Sequence, residues 1–476
     1  MVAGEELGER LEAFCGSYAG QMRTKTRDTS QYGYHYVSGL LRMESKRNMA
    51  NIGRTTGQAE QNIQHFISES PWSGQGLIET LQTDIGAEEA FAESVLIIDE
   101  SADEKAGEKS AGASRQRNGR LGKVDLCQVG VFATLATPKA HCWVDGELFI
   151  PEKWFSDEYA DKRKRAGIPQ ERVFQTKAQL AKKMVMRCRD DGQLPFVAVD
   201  MDSFYGRNFA LRQQLRVEQI EYYADVPANS RVYLEKPTIS TVRKDGKPRK
   251  VPKVSGGKRR SVCDLVDHPD AEAAILRLRP SERGYIEDRF VRLLVWTVNG
   301  TDVQQEWLLI RVCPSKTTYC FSNAPANTPF ETMAKRKSLR YFIERDNQDG
   351  KSGFGWDEFQ ATKFRAWEHQ LALTIMAAWF ITQTRLDWAA QYQRDPALLL
   401  EFEVDVLPTL SISNVRSLLR AALPLPQLSS QQAIDLVVKH VSSQKSGVAK
   451  KARIAYDRGD ARRIQSAKHR RHRRCA

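Results

Sequence analysis

The chain is short of the residues on which most polar chemistry is built. Its eight histidines are dispersed: His35, His65, His141, His268, His369 and His440 lie far apart, and His469 and His472 sit near the end. Its eight cysteines (15, 127, 142, 188, 263, 313, 320 and 475) form no CxxC pair, and no Cys/His group has zinc-finger spacing. They are expected to be reduced, mostly buried thiols of an intracellular chain. Long apolar runs are missing too. The longest, Leu371 to Ile381, is too short to span a bilayer and reads as a buried helix, so no membrane association is expected. The opening MVAGEELGER is acidic and lacks the apolar centre of a signal peptide. In SGGKRR no glycine stands five positions before Gly257, so the Walker spacing fails and no nucleotide cofactor is expected. No internal repeat is visible.

Positive charge is abundant. The 476 residues carry a formal +13 and a pI near 9.3, which points to a polyanionic partner, double-stranded DNA above all. At 41% hydrophobic and 9% aromatic the chain can bury a sizeable core, and its length suits two to four structural units. Between Lys445 and Arg474 twelve basic residues face only Asp457 and Asp460, so this segment supplies about ten of the thirteen charges. It reads as a disordered phosphate-binding arm, with Lys450, Lys451, Arg470, Arg471, Arg473 and Arg474 as candidate contacts.

Residues 1–90 look helical, with apolar stripes at Leu7, Leu11 and Phe14 and at Tyr36, Leu40 and Leu41. Two short helical segments, ESKRNMANIG and TGQAEQNIQHFISES, flank the turn-like GRTTG, with Thr56 placed to cap the second. That arrangement suits a helix-turn-helix, with Arg42, Lys46, Arg47 and Arg54 as candidate DNA contacts. From residue 93 the texture changes. ESVLIID is a strand ending at Asp99, followed by a loop from Ala102 to Gly122 and then two strands, VDLCQVGVFATLAT and CWVDGELFI. KAQLAKKMVMRC is a helix, FVAVD a strand leading into Asp202, FALRQQLR a helix and IEYYADV a strand. Residues 217–330 are β-rich and hold an Asn299-Gly300 hairpin signal.

The expected fold class is α/β. A ribonuclease-H-like mixed-sheet catalytic core (91–216 and 331–390) is interrupted by a β-rich insertion (217–330). A helical DNA-binding region (1–90), a helical C-terminal region (391–442) and the basic tail (443–476) complete it.

Arg340, Glu344 and Lys351 share one helical stripe, so a single carboxylate is flanked by two cations. Asp99 and Asp202, each at the end of an apolar run, complete an Asp, Asp, Glu series. Hard oxygen donors of this kind suit a pair of Mg²⁺ ions, with Mn²⁺ as a substitute, which can activate an attacking oxygen and steady a leaving one. Asp200 is the rival to Asp202. Trp356, Trp367 and Trp379, at helical distances, read as core.

Longer blocks carry a resemblance. SESPW (68–72), IIDESADEKAGEKSAGASRQRNGRLGKVDLCQVGV (97–131), LFIPEKWFSDEYADKRKRAGIPQERVFQTKAQLA (148–181) and DSFYG (202–206) resemble the DDE transposases of bacterial insertion sequences. The resemblance is to the superfamily marked Tyr-(2)-Arg-(3)-Glu-(6)-Lys, and within it to the group conventionally numbered seven hundred and one. DSFYG fits that family's Asp-x-x-Tyr-Gly, which favours Asp202 over Asp200. Two departures stand out. The motif tyrosine falls on Lys337, and Asp99-Glu100-Ser101 stands where the family has Asp-Asp-Thr. The resemblance implies that Lys337, Arg340 and Lys351 contact DNA phosphates, and that transposon ends are nicked and the 3′-hydroxyl transferred to target DNA. It also implies a homodimer in the complex holding two ends, and a bacterial, nucleoid-associated location in the cytoplasm. The alternatives are a catalytically inactive, transposase-derived DNA-binding regulator and a nuclease of the same fold that does not transfer strands.

Overall fold

The computed structural model describes residues 2–424 apart from 120, 244–247, 282–283, 315 and 408. The end of the expected C-terminal helical region and the whole basic tail lie outside the described residues, as do Lys450, Lys451, Arg470, Arg471, Arg473 and Arg474. The described chain belongs to one compact unit, Met1–Pro424.

Five helices open it: α1 (Val2–Ser17), α2 (Ser30–Arg42), α3 (Met49–Thr55), α4 (Glu60–Ser68) and α5 (Gly74–Ala87). Leu11, Tyr36, Leu40 and Leu41 have no exposure, so both expected stripes face inward. The turn between α3 and α4 differs from the expectation. Thr56 ends α3 instead of starting α4: its backbone N–H (2.9 Å) and its hydroxyl (2.7 Å) both donate to the Ile52 carbonyl. That i−4 carbonyl is offered by a helix already formed, so the hydroxyl has a nearer partner than any N–H ahead of it.

Strand β1 (Ser94–Glu104) runs five residues past Asp99, because the long β3 (Lys123–Ala136) pairs with it antiparallel from Val95↔Ala136 to Glu104↔Cys127. Asp99 therefore lies in mid-strand, opposite Phe132. Part of the expected loop is β2 (Ser114–Asn118), which pairs with the near end of β3, and β4 (His141–Phe149) pairs with its far part. After α6 (Ala160–Ala166) comes α7 (Lys177–Asp190), which starts at a capping box in which Thr176 and Gln179 satisfy each other's backbone N–H. It crosses to β5 (Phe196–Met201), parallel to β1 with Ile97↔Asp200. The short α8 (Ser203–Gly206) and α9 (Phe209–Val217) then lead to β6 (Tyr222–Val226), parallel to β5 with Asp200↔Tyr223.

The β-rich segment begins with two small ladders. In one, β7 (Arg231–Val232) pairs with β10 (Arg260–Ser261); in the other, β8 (Thr238–Val242) pairs with β9 (Pro248–Ser255). Strands β11 (Glu272–Ser281), β12 (Gly284–Asn299), β13 (Asp302–Val312) and β14 (Thr317–Ser322) then join the main sheet, β14 lying antiparallel to β6 with Cys320↔Asp225. Among the described residues this gives one ten-stranded mixed sheet in the order β11-β12-β13-β14-β6-β5-β1-β3-β2, with β4 on β3. The expected hairpin closes at Asn299↔Asp302, with Gly300 at φ +62°, a left-handed turn position that glycine takes without steric cost.

Helices α10 (Phe330–Ser338) and α11 (Tyr341–Ser352) lie across this sheet. Met333, Phe342 and Ile343 pack with Ile97, Tyr223, Phe290 and Leu309, which sets α11 over the strands that carry the acids. Leu371 to Ile381 lies inside α12 (Phe364–Tyr392) and is buried almost throughout. Trp356, Trp367 and Trp379 are core residues, 2%, 3% and 0% exposed. Helices α13 (Pro396–Glu401) and α14 (Ile412–Ala422) follow. No helix among the described residues is long and apolar enough to cross a membrane.

Candidate active site

Three neighbouring strands and one helix bring the acids together. Asp99 projects from mid-β1, and its Oδ1 accepts from the Glu100 N–H at 2.7 Å. Asp202 follows β5 and caps α8, its Oδ1 accepting from Phe204 N–H (2.9 Å) and Tyr205 N–H (3.2 Å). The DSFYG motif has a physical basis here. Tyr205 is wholly buried, with its hydroxyl 3.4 Å from Glu100, and Gly206 lies so close to β6 that a Cβ would stand 2.0 Å from the Asp225 carbonyl oxygen. Only glycine permits α8 to approach β6 this closely, and that approach fixes Asp202.

Arg340, at the head of α11, links the acids. Its guanidinium lies 2.8 Å from Glu344, 3.5 Å from Asp99 and 3.6 Å from Asp225. Burial works against its charge, but Asp99, Asp225 and Asp200 together hold it more firmly protonated than usual. The Asp99 carboxyl is pushed up to about 7, chiefly by burial; Arg340 pulls it back and the charge of Asp202 pushes it further up. Asp99 and Asp202 thus share one electrostatic neighbourhood. Glu344 is reached through Arg340 and its side chain is 61% exposed. Asp202, Asp225, Arg340 and Glu344 line a common cleft of about 440 Å³.

Asp225 was not singled out from the sequence, although its setting in IEYYADV repeats the acid-in-an-apolar-strand signal that marked Asp99. The rival Asp200 is fully buried on β5, and both its oxygens accept from Lys337 Nζ, at 2.8 and 3.2 Å. Burial pushes Asp200 up and Lys337 opposes it, while Asp200 and Asp225 hold Lys337 charged in spite of its burial. Lys337 therefore faces inward, 3.0 Å from Asp225. Lys351 donates to the Ala102 carbonyl at 2.8 Å and lies 3.7 Å from Asp103.

Among the described residues, no three His, Cys, Asp or Glu side chains are arranged as a ready metal cluster. The donor chemistry of Asp99 and Asp202 nonetheless fits a hard divalent cation: two oxygen acids share one neighbourhood, and the charge of Asp202 disfavours that of the buried Asp99. Glu344 is paired with Arg340 and exposed at the mouth of the cleft.

The N-terminal cations are placed differently. Arg42 and Arg47 are buried. Arg42 donates to Ser38 Oγ (2.9 Å) and the Pro424 carbonyl (2.8 Å). Arg47 donates to the carbonyls of Gly353 (2.6 Å) and Ser352 (3.0 Å) and pairs with Glu358 at 3.1 Å. Arg54 is half-exposed and pairs with Glu60 at 2.6 Å, and Lys46 is exposed.

Comparison with known proteins places this geometry. A family model described as DDE superfamily endonuclease matches residues 18–280, a stretch that takes in Asp99 and Asp202 and ends before Glu344. The chain is also similar to the probable transposase for insertion sequence element IS701 of Microchaete diplosiphon. The two are 24% identical over 372 residues, covering 74% of this chain and 82% of the relative.

Proposed function

The chain belongs to the DDE superfamily endonuclease family, and on that footing we propose that it is a transposase that binds the ends of its own insertion sequence, cuts there and transfers the freed 3′-hydroxyl to target DNA. One observation carries this reading. Asp99 and Glu344 meet at Arg340, which lines an open cleft with Asp202 and Glu344, and the two aspartates share one electrostatic neighbourhood. The antiparallel β1–β3 pair followed by parallel β1–β5–β6 supports a ribonuclease-H-like core.

In this reading Asp99, Asp202 and Glu344 hold divalent cations, Mg²⁺ by preference. When bound, these ions supply charge neutralisation at the phosphoryl oxygens and acidify the attacking hydroxyl or water. The side chains do the rest. Asp202 is held by its two backbone donors and cannot swing away. Asp99 would present its carboxylate to the ions from mid-β1. Arg340, released from Glu344, is placed to hold a phosphate in the cleft. In the first step water attacks phosphorus, the attacking oxygen loses its proton, and the departing 3′-oxygen gains one. In the second, that 3′-hydroxyl attacks a target phosphodiester, loses its proton, and the target's own 3′-oxygen leaves and is protonated. Two chains, each holding one end, form the working complex.

The test incubates the protein and Mg²⁺ with linear DNA carrying the sequences that flank its gene, beside Asp99→Ala, Asp202→Ala and Glu344→Ala. Wild type is expected to cut at the ends, and each variant to lose about a thousandfold or more. Tight binding without cleavage under Mg²⁺ or Mn²⁺ would replace this reading with that of an inactive DNA-binding relic. Cleavage with no joined product would leave a nuclease.

A further inference from the structure

We propose that the groove between the Arg23–Thr29 hairpin and the outer face of α4 is a DNA-contact surface that grips the phosphodiester backbone away from the cleft. The proposal rests on the reading that this chain acts on DNA, and it assigns the contact to residues that motif and helix reasoning passed over. The groove encloses about 1110 Å³, more than twice the 440 Å³ of the cleft at the acids.

Its chemistry is that of a phosphate site. One wall carries Arg23, Lys25 and Arg27; the other presents Gln61, Asn62 and His65. Asp28 is the sole carboxylate in the lining, and it is already committed. Its Oδ2 accepts from Arg23 Nε at 3.0 Å, and its Oδ1 accepts from the Ser30 N–H (2.9 Å) and hydroxyl (2.6 Å). Lys25 and Arg27 are exposed, and neither side chain has a hydrogen bond or ion pair with any described residue. Their charge is available, in contrast to that of Arg42, Arg47 and Arg54.

The tip that bears them is held in shape. The Thr24 N–H donates to the Arg27 carbonyl at 2.9 Å, the Arg27 N–H donates back to Thr24 Oγ1 at 3.0 Å, and the Thr29 hydroxyl donates to the Met22 carbonyl. Ordering such a tip on binding costs little. The groove floor is equally fixed. Tyr32 packs on Phe66 (6.1 Å between ring centroids), Phe66 stacks on Trp72 (5.2 Å) and Trp72 stacks on His369 of α12 (3.7 Å). Free cations on a rigid rim, an amide-bearing opposite wall and an open channel suit a polyanion that lies along the groove.

Binding is measured in EDTA, where no cleavage occurs, over a range of KCl. Wild type and Lys25→Ala/Arg27→Ala are compared on a linear duplex carrying the gene-flanking sequence and on an unrelated duplex of equal length. The double variant is expected to bind about tenfold more weakly near ~100 mM salt, with a log–log salt slope smaller by about 1.8. The loss is expected to be equal on both duplexes, because phosphate contacts carry no base information. A double variant that melts at the wild-type temperature and keeps wild-type affinity and slope overturns the groove and leaves the transposase reading intact. Wild type that binds but does not cut in Mg²⁺ sinks that reading and leaves the groove standing.

Discussion

Arg42 and Arg47, at the end of α2 and just before α3, and Arg340, at the head of α11, were all expected from the sequence to contact DNA, and all three turn inward. Their partners differ. Arg42 and Arg47 donate to backbone carbonyls, Arg47 with Glu358 beside them, and these acceptors belong to the fold and have no second use. Arg340 is held by Asp99, Glu344 and Asp225, carboxylates that can take another cation in its place. A cation bound by carbonyls is a permanent brace between segments. One bound by carboxylates is a counter-ion, released when something more positive arrives. On the proposed function, the same residue type serves architecture in one region and chemistry in the other, according to what the fold sets opposite it.

Three substitutions sharpen or break that contrast. Arg340→Ala is expected to lower end cleavage by about a hundredfold or more while thermal stability changes little, because removing the cation leaves acids that Mg²⁺ can still neutralise. Normal cleavage by this variant would place Arg340 with the braces. Arg47→Ala should behave in the opposite sense. It leaves the carbonyls of Gly353 and Ser352 without their donor and Glu358 with only the backbone N–H of residue 47, costing about 3 kcal/mol in denaturant unfolding, while cleavage per folded molecule stays as in wild type. Equal stability would show that the carbonyls find water and that the brace is dispensable.

The smallest effect is expected at Glu368, an acid with too little cationic support. Burial pushes it up to about 7, and the nearby Arg172 only partly opposes this, since that arginine also pairs with Glu147 at 3.0 Å. A folded carboxyl that holds its proton up to about pH 7, against an unfolded value near 4.5, loses stability as pH rises through that window. Glu368→Gln removes the loss. It is expected to melt about 1–2 °C above wild type at pH 8 and level with it near pH 4. A constant difference at both pH values would rule out titration as the cause.

Much of the sheet was legible because its strands alternate in texture with their surroundings: FVAVD, IEYYADV and the Asn299-Gly300 hairpin were all placed from local pattern. The run of β1 beyond Asp99 was not, since it depends on the length of β3 twenty residues later, and no local signal in Ala102–Glu104 announces a partner. Thr56 misled for a related reason. A threonine is as able to close one helix as to open the next, and the choice lies with the carbonyl that reaches it first. At the candidate site, Asp99, Asp202 and Glu344 were singled out by residue type and spacing, and the motif around Gly206 acquired a steric reason. The inward turn of Lys337 could not be read, because its partners, Asp200 and Asp225, arrive from two other strands. Charge in a sequence shows how many cations there are; only packing shows which remain available.

The continuity of the ten-stranded sheet has a mechanical consequence. From β6 to β11 the ladder crosses four strand spacings, about 19 Å, with no break in hydrogen bonding. On the way, Glu306 of β13 ties sideways to Arg212 of α9 at 3.0 Å and to the Tyr222 hydroxyl at 2.6 Å. The β-rich segment is thus a stiff lever whose fulcrum is the strand bearing Asp225. The outer hairpin is thereby joined, strand by strand, to the strand whose Asp225 lies 3.6 Å from Arg340.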